Sequence, residues 1–364
     1  MEIYVFNTNF NFQGIVDNFS SFTWTRKYYS AGEFELHVPL TSDNLTLLSI
    51  GNIICKKDNK DEAAYIEYRE LGQSEGIETL IVKGFFLSKW FSRRITWNMQ
   101  IQNIRAEVAM KNYVNLNCIS SSITERNIPN LVVSVDKGLT PVVSYSSIYK
   151  SLYEELSNIS RLSDLGYRII FKPSTKQYIF DVNSGRNLTV NQSTNSPAIF
   201  SINFDNVLEQ TYTDSTNNYA NTALVGGQGE DINRKLVTVN GNNSGLNRFE
   251  IFVDASDIGN DADGNPLPDA TVTSLLTDRG NQSLSDMKEN QTFDAKINVN
   301  SNLRYMNDFD LGDIVTVTNQ NWGITLDTRI TTIEEVYENN GLDIRVTFGN
   351  NIPTLIDKIK QKIK

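Results

Sequence analysis

The chain has 364 residues, and its 33 Lys plus Arg against 43 Asp plus Glu give a formal charge of -10 at pH 7. At roughly 150 residues per domain this length predicts two or three domains and excludes a single small module. The acidic balance leaves no overall basic field to condense on nucleic acid or an anionic bilayer, so non-specific phosphate binding is disfavoured. A hydrophobic fraction of 39% predicts a globular chain rich in polar loops.

Met1-Glu2-Ile3-Tyr4-Val5-Phe6 carries neither a basic n-region nor a small-residue cleavage site. It reads as a first strand and not as a signal peptide, which implies a protein that stays in the cytosol where it is made. No apolar run approaches the ~18–20 residues needed to span a bilayer, the best stretch being broken at Lys83, Lys89, Arg93 and Arg94. Cys55 and Cys118 are far apart and lack CxxC spacing, which predicts two buried thiols without redox or metal chemistry.

The first hundred residues are dominated by strand signals. In Glu33–Leu40, Phe34, Leu36, Val38 and Leu40 alternate with Glu33, Glu35, His37 and Pro39, a period of two that makes a half-buried strand. Ile53-Ile54-Cys55, Ala64–Tyr68 and Thr79–Gly84 continue the series between turn clusters, and this spacing predicts a closed or nearly closed antiparallel barrel.

From about Asn98 the period changes. Ile101, Ile104, Val108 and Lys111 are spaced as on a helical face, and Ile148, Leu152, Leu156, Ile159, Leu162 and Leu165 predict a longer helix ended by Gly166. Tyr167–Phe171 and Gln177–Val182 read as two strands, completing an α/β insert.

Strand patterning resumes at Ala198–Phe204. Lys235–Val239 with Phe249–Val253, and Ile330–Tyr337 with Asp343–Phe348, flank Asn- and Gly-rich turns and are expected to form hairpins. Between them lie an Asp-rich loop, Asp254–Asp269, and a helix from about Val272 to Asn290. Leu355, Ile356, Ile359 and Ile363 with Lys358, Lys360, Lys362 and Lys364 predict a short basic amphipathic helix. The fold class expected is mainly β with an α/β insert (α+β). Its regions are 1–98 (β), 99–196 (α/β insert), 197–350 (β, with 254–290 inserted) and 351–364 (C-terminal helix).

Few residues carry chemistry. A Ser-His-Asp or Cys-His centre needs a histidine base, and the single histidine, His37, stands on a polar strand face between glutamates. Two isolated cysteines and one histidine cannot build a closed zinc set. Gly226-Gly227-Gln228-Gly229 lacks the Lys-Ser/Thr pair and helix of a phosphate-binding loop.

Asp257, Asp261 and Asp263 beside Gly264 suggest calcium. Yet aligning Gly264 with the invariant EF-hand glycine puts Gly259 and Ala270 where carboxylates are required, so a solvated loop is favoured. Glu67 with Glu70, or Glu334 with Glu335, could be proposed as a glycosidase pair. Adjacent strand positions point to opposite faces, however, and these read as surface glutamates. The basic aromatic run Lys83, Phe85, Phe86, Lys89, Trp90, Phe91, Arg93, Arg94 and Trp97 has the composition of a single-strand nucleic-acid platform. Core aromatics and interface arginines fit an acidic chain better. No catalytic, cofactor-binding or metal residue is assigned, no cofactor is expected, and the chain is expected not to be an enzyme.

Trp24–Leu36 resembles the opening of the phage tail proteins called Gp37-like, relatives of the baseplate hub and of the N-terminal part of tail-associated lysins. Thr79–Ile95, Phe200–Asn206, Asn221–Gly227, Arg248–Asp257, Arg279-Gly280, Leu311–Val317, Asp327–Thr331 and Thr347–Gly349 resemble its later blocks in order, so nearly the whole chain is covered. The resemblance implies two tube-like antiparallel β-barrel domains per chain and a homotrimeric tail-tip hub. Its pseudo-sixfold ring would join a sixfold tail tube or distal tail protein to a threefold spike, fibre or tail lysin, in a phage, a contractile injection system or a bacteriocin. The lytic half of tail-associated lysins is not expected, since the chain ends at Lys364. The alternative is a cell-wall hydrolase or glycan-binding tail-tip module. If DNA passes through such a ring, an acidic or neutral lining is expected, with basic residues at interfaces and in the tail helix.

Overall fold

The computed structural model describes residues 1–349 apart from Glu75, Asn98, 231–232, 261–263, Asp286 and Asn340. The helix expected at 351–364 therefore lies outside the described residues, as do Asp261 and Asp263. Strands run in chain order through β1 (Ile3–Phe6), β2 (Phe12–Val16), β3 (Ser21–Lys27), β4 (Glu33–Pro39), β5 (Ile53–Lys56), β6 (Asn59–Ser74) and β7 (Ile77–Phe86). Next come β8 (Met99–Arg105), β9 (Leu131–Val133), β10 (Val142–Ser147), β11 (Gly166–Lys172), β12 (Gln177–Asn183), β13 (Asn187–Leu188), β14 (Ile199–Phe200) and β15 (Val207–Ser215). The last are β16 (Thr222–Gly226), β17 (Leu236–Val239), β18 (Glu250–Asp254), β19 (Asn290–Ile297), β20 (Ile314–Asn319), β21 (Ile324–Glu338) and β22 (Gly341–Gly349). The helices are α1 (Ser42–Leu47), α2 (Ala106–Val114), α3 (Leu152–Ser163) and α4 (Asp269–Ser285).

The chain folds as two compact units. The first comprises Met1–Lys89, Gly166–Asp214 and the segment from Asn290 onward; the second comprises Trp90–Leu165 and Ser215–Glu289. The first unit is built on a sheet with the main path β15-β19-β22-β21-β3-β4-β7-β6-β5-β1-β2. Its neighbours are mostly antiparallel, the short β13 and β14 adding in parallel to β20. The fold is thus mainly β, as expected, but the barrels are not closed. Residues 1–86 do not close on themselves, because β3 pairs with β21, Thr25 opposite Glu334 and Phe22 opposite Tyr337. That pairing makes the N-terminal and C-terminal β regions one sheet.

Alternation along these strands puts apolar side chains on one face. Phe22, Trp24, Phe34, Leu36, Ile66 and Val82 form one core cluster; Phe200, Phe293, Phe309, Ile333, Val346 and Phe348 form a second. Each such side chain contributes about 1.5–3 kcal/mol of burial. Tyr28 is wedged between two glycines: a Cβ on Gly166 or on Gly312 would lie 2.3 Å from its Cε2. Gly312 also has φ +89°, in the region that favours glycine.

In the second unit β8 and β10 pair antiparallel and α2 packs on α3. Helix α4 covers the sheet β17-β16-β18, with Leu275 and Leu276 against Ala223, Val225 and Val239. Gly280 permits this close approach, since a Cβ there would lie 2.6 Å from Val239 Cγ2.

Several local expectations change. Met99–Arg105 is a strand and not part of a helix, because Met99 and Ile101 alternate inward and pair with β10. The helix predicted from Ile148 begins at Leu152, and Asp164 (φ +57°) caps it while Gly166 opens β11. Ala198–Phe204 is a strand only at Ile199–Phe200; Ile202–Phe204 turns as a 3-10 helix whose Asn203 N–H bonds to Ser201 Oγ. β17 and β18 are not a hairpin, since β16 lies between them and runs parallel to β18. β21 and β22 do pair antiparallel.

Candidate functional site: a polar sheet face and a buried ionic network

The large sheet carries charge on both faces. On the polar face, register sets Lys296, Arg345, Glu334, Thr25 and Glu33 in one row across β19, β22, β21, β3 and β4. Thr23, Glu35, Lys83 and Tyr68 form the next row across β3, β4, β7 and β6. The cations of this face are paired: Lys296 to Asp343 (2.8 Å), Arg345 to Glu334 (3.4 Å), Lys27 to Glu33 and Lys83 to Glu35 (both 2.8 Å). Asp294 and Glu70 instead accept hydroxyls from Thr347 and Tyr68, so the residual charge of the face is negative. Hydrogen bonds from Lys83 and then His37 hold the Glu35 carboxyl below its usual range. Thr23, Thr25, Glu33, Glu35, Lys83 and Glu334 line a groove of about 530 Å³ on this face.

The opposite, apolar face contains a buried ionic network where β3 meets β21. Arg26, Lys56, Glu62 and Glu335 are each less than a tenth exposed. Arg26 donates through Nε to Glu62 Oε1 (2.8 Å), and through Nη1 to the Tyr305 hydroxyl (2.8 Å) and Asp310 Oδ1 (2.5 Å). Tyr305 donates to Glu335 Oε1 (2.8 Å), whose Oε2 accepts from Lys56 Nζ and the Tyr337 hydroxyl, both at 2.5 Å. Burial opposes the charge of Arg26, but Glu62, Tyr305 and Asp310 outweigh it and raise its pKa. Burial likewise works against ionised Asp310, and Arg26 overrides it, leaving that carboxyl below its usual range. Burial pushes the Tyr305 and Tyr337 phenols up, so both remain neutral donors.

Among the described residues no group of three or more His, Cys, Asp and Glu is placed to hold a metal. Residues 2–350 match the sequence profile of the siphovirus ReqiPepy6 Gp37-like protein. The chain belongs to that family. No curated protein sequence matches it. The Gp37-like chain is similar in fold to a 43 kDa tail protein of prophage MuSo2 from Shewanella oneidensis, at TM-score 0.57 and 10% identity, covering 96% of this chain and 98% of that one. It is similar to a tail protein from Neisseria meningitidis at TM-score 0.55 and 12% identity, with 96% of each chain covered. It is also similar to the prophage tail protein gp18 from Listeria monocytogenes, at TM-score 0.54 and 11% identity, covering 100% and 98%. The Gp37-like chain therefore has the fold of phage tail proteins.

The residues considered from sequence take separate places in the Gp37-like chain. His37 is on the polar face, its Nε2 2.7 Å from Glu35 Oε1. Glu67 and Glu70 are exposed and accept from Tyr65 and Tyr68. Glu334 and Glu335 do point to opposite faces, but Glu335 is not a surface residue: it is fully buried in the ionic network. Asp257 pairs with Arg279 at 2.9 Å, and Asp254 and Asp269 pair with Arg234 and Lys235. In the basic aromatic run Trp90 and Phe91 are buried, whereas Trp97 is half-exposed with Arg126 over its ring at 5.2 Å. Cys55 and Cys118 are buried and unbridged. Gly226 and Gly227 give their carbonyls to Arg234, and the Gly227 and Gln228 N–H groups are spent on the Lys235 and Ile258 carbonyls. Among the described residues, no helix is long and apolar enough to cross a membrane.

Sequence reasoning missed Arg26, Lys56, Glu62, Tyr305 and Asp310. The signal was parity: Arg26 follows Phe22 and Trp24 by steps of two, and Glu335 stands between Ile333 and Tyr337 on the core face.

Proposed function

We propose that this Gp37-like chain is a non-catalytic tail-tip hub that assembles as a homotrimeric ring and adapts the tail tube to a spike or fibre. The observation that carries this reading is the single sheet joining the N-terminal and C-terminal β regions through β3 and β21. It gives each chain one rigid, continuous polar face. Three chains, each offering two β regions, suit the junction between sixfold and threefold symmetry that the resemblance implies.

In this reading the face carrying Glu33, Glu35 and Glu334 lines the lumen. Its cations are already held by carboxylates. A passing polyanion would meet few free Lys or Arg groups to bind and release, which favours sliding. The ring is located at the tail tip of the particle. Imaging the intact particle by cryo-electron microscopy tests this: three copies with the Glu35 face inward support it, and six equivalent copies or an outward face overturn it. Zymography on purified peptidoglycan tests the absence of catalysis. A cleared band from the isolated chain, abolished by a single Glu→Gln change, would replace the adaptor with a hydrolase.

A further inference from the structure

Glu155 on α3 is a carboxyl that neither the polar sheet face nor the ionic network uses. It is 2% exposed, and its Oε2 is buried with no hydrogen-bond partner. An ionised carboxylate with an unsatisfied oxygen is costly in such a place, and a proton removes most of that cost.

Groups from each element packed on α3 act on this carboxyl. β10 supplies the Tyr145 and Ser147 hydroxyls as donors, the turn before α3 supplies Lys150, α4 supplies Arg279, and α2 supplies the buried phenol of Tyr113. Arg279 is committed elsewhere: its Nη1 and Nη2 donate to Asp257 at 3.3 and 2.9 Å, and its Nε is buried with no acceptor. Burial is therefore the largest influence on Glu155 and holds its carboxyl above the ordinary glutamate range, the donors and cations offsetting it only in part.

The donors continue on both sides. Gln282 Nε2 of α4 donates to the Tyr145 hydroxyl at 2.6 Å, and that hydroxyl's own hydrogen serves Glu155. Ser147 Oγ lies 2.6 Å from Thr96 Oγ1, which accepts from the Lys150 N–H at 3.2 Å. One buried chain of polar groups thus runs from Thr96 through β10 and α3 to α4, linking Trp90–Leu165 to Ser215–Glu289 within the second unit.

We propose that Glu155 is a proton-operated latch of the second unit: protonated, it lets α3 pack tightly between β10 and α4, and loss of its proton loosens that packing. The latch is independent of the ring. Its sign follows from the raised carboxyl. Folding takes up a proton, so the contribution of Glu155 is fully present below the unfolded glutamate value of about 4.3 and is lost as pH rises through the folded one. Asp278 of α4 is also raised by burial and has a buried Oδ2 without a partner, so the test must separate the two.

The test is hydrogen–deuterium exchange on the full chain from pH 5 to pH 8, read by mass spectrometry on peptides from α3 and α4 and corrected for the intrinsic rate. In the wild type the protection of both helices is expected to fall by about tenfold across this range. Peptides from β22 in the first unit should not follow. Glu155→Gln keeps the shape and removes the titration, so its profile should be flat, whereas Asp278→Asn should retain most of the fall in α3. Thermal unfolding establishes that each variant is folded. If Glu155→Gln does not fold, Tyr145→Phe decides: it removes a donor that favours the ionised form and should move the fall to higher pH. The proposal is overturned by a flat wild-type profile, by an equal fall in β22, by an undiminished fall in folded Glu155→Gln, by loss of the fall in Asp278→Asn, or by an unmoved fall in Tyr145→Phe.

Discussion

Lys56 Nζ lies 2.5 Å from Glu335 Oε2 across a separation of 279 residues, with both side chains buried. The two residues belong to β5 of the N-terminal β region and β21 of the C-terminal one, so this contact exists only when the two β regions join in the observed register. A slip of one residue would move Glu335 to the polar face and leave Lys56 buried without a counterion. The network therefore specifies the register of the sheet.

Removing its central cation leaves two carboxylates without their partner. Arg26→Met is expected to cost about 3–5 kcal/mol, read as a fall in the urea midpoint. Arg345→Met, which breaks the exposed pair with Glu334, is expected to cost less than about 1 kcal/mol in the same experiment. Equal losses would show that burial of the network is irrelevant.

The depressed carboxyl of Asp310 links stability to pH. A group whose folded pKa is lowered contributes stability above its unfolded value, about 3.9 for Asp, and loses it as pH falls through the lower folded value. Acid unfolding below about pH 4 should therefore be shallower in Asp310→Asn than in the wild type. Superimposable curves would contradict the coupling to Arg26.

Tyr28 packs so closely on Gly312 that no side chain fits there. Gly312→Ala adds a methyl group 2.3 Å from Tyr28 Cε2 at a positive φ, so strain and overpacking together are expected to cost about 2–4 kcal/mol. Gly166→Ala meets the same ring without the φ penalty and should lose less. Thermal unfolding of the two variants gives the order.

Burial pushes the Cys55 and Cys118 thiols up to about 12. In native protein at pH 8 neither should react with Ellman's reagent within minutes, and both should react in urea. Rapid release of one thiol equivalent from the folded chain would show that one of the sites opens.

Much of the fold was legible in the sequence because its strands alternate. Glu33–Pro39, Gln177–Asn183 and the β21–β22 pair follow directly from period-two patterns and turn residues. What was not legible depends on partners distant in the chain. Residues 1–86 and 290–349 have the same local pattern whether each region closes alone or both join through β3 and β21. Ile101 and Ile104 satisfy a helical spacing as well as a strand that pairs with β10. For the network, the parity of Arg26 after Trp24, and of Glu62 before Ala64 and Ile66, marked charges on the core face. The identity of their partners is set by tertiary contacts of residues such as Tyr305 and Asp310, which lie in an irregular loop with no periodicity to read.

The most direct test of the hub is the copy number and orientation of the chain in the intact particle, read from a cryo-electron microscopy map of the tail tip. Three copies of the 41.1 kDa chain are expected around the axis, with Glu33, Glu35 and Glu334 facing the lumen. A dimer, a ring of six equivalent copies, or a lumen lined mainly by Lys and Arg would contradict it.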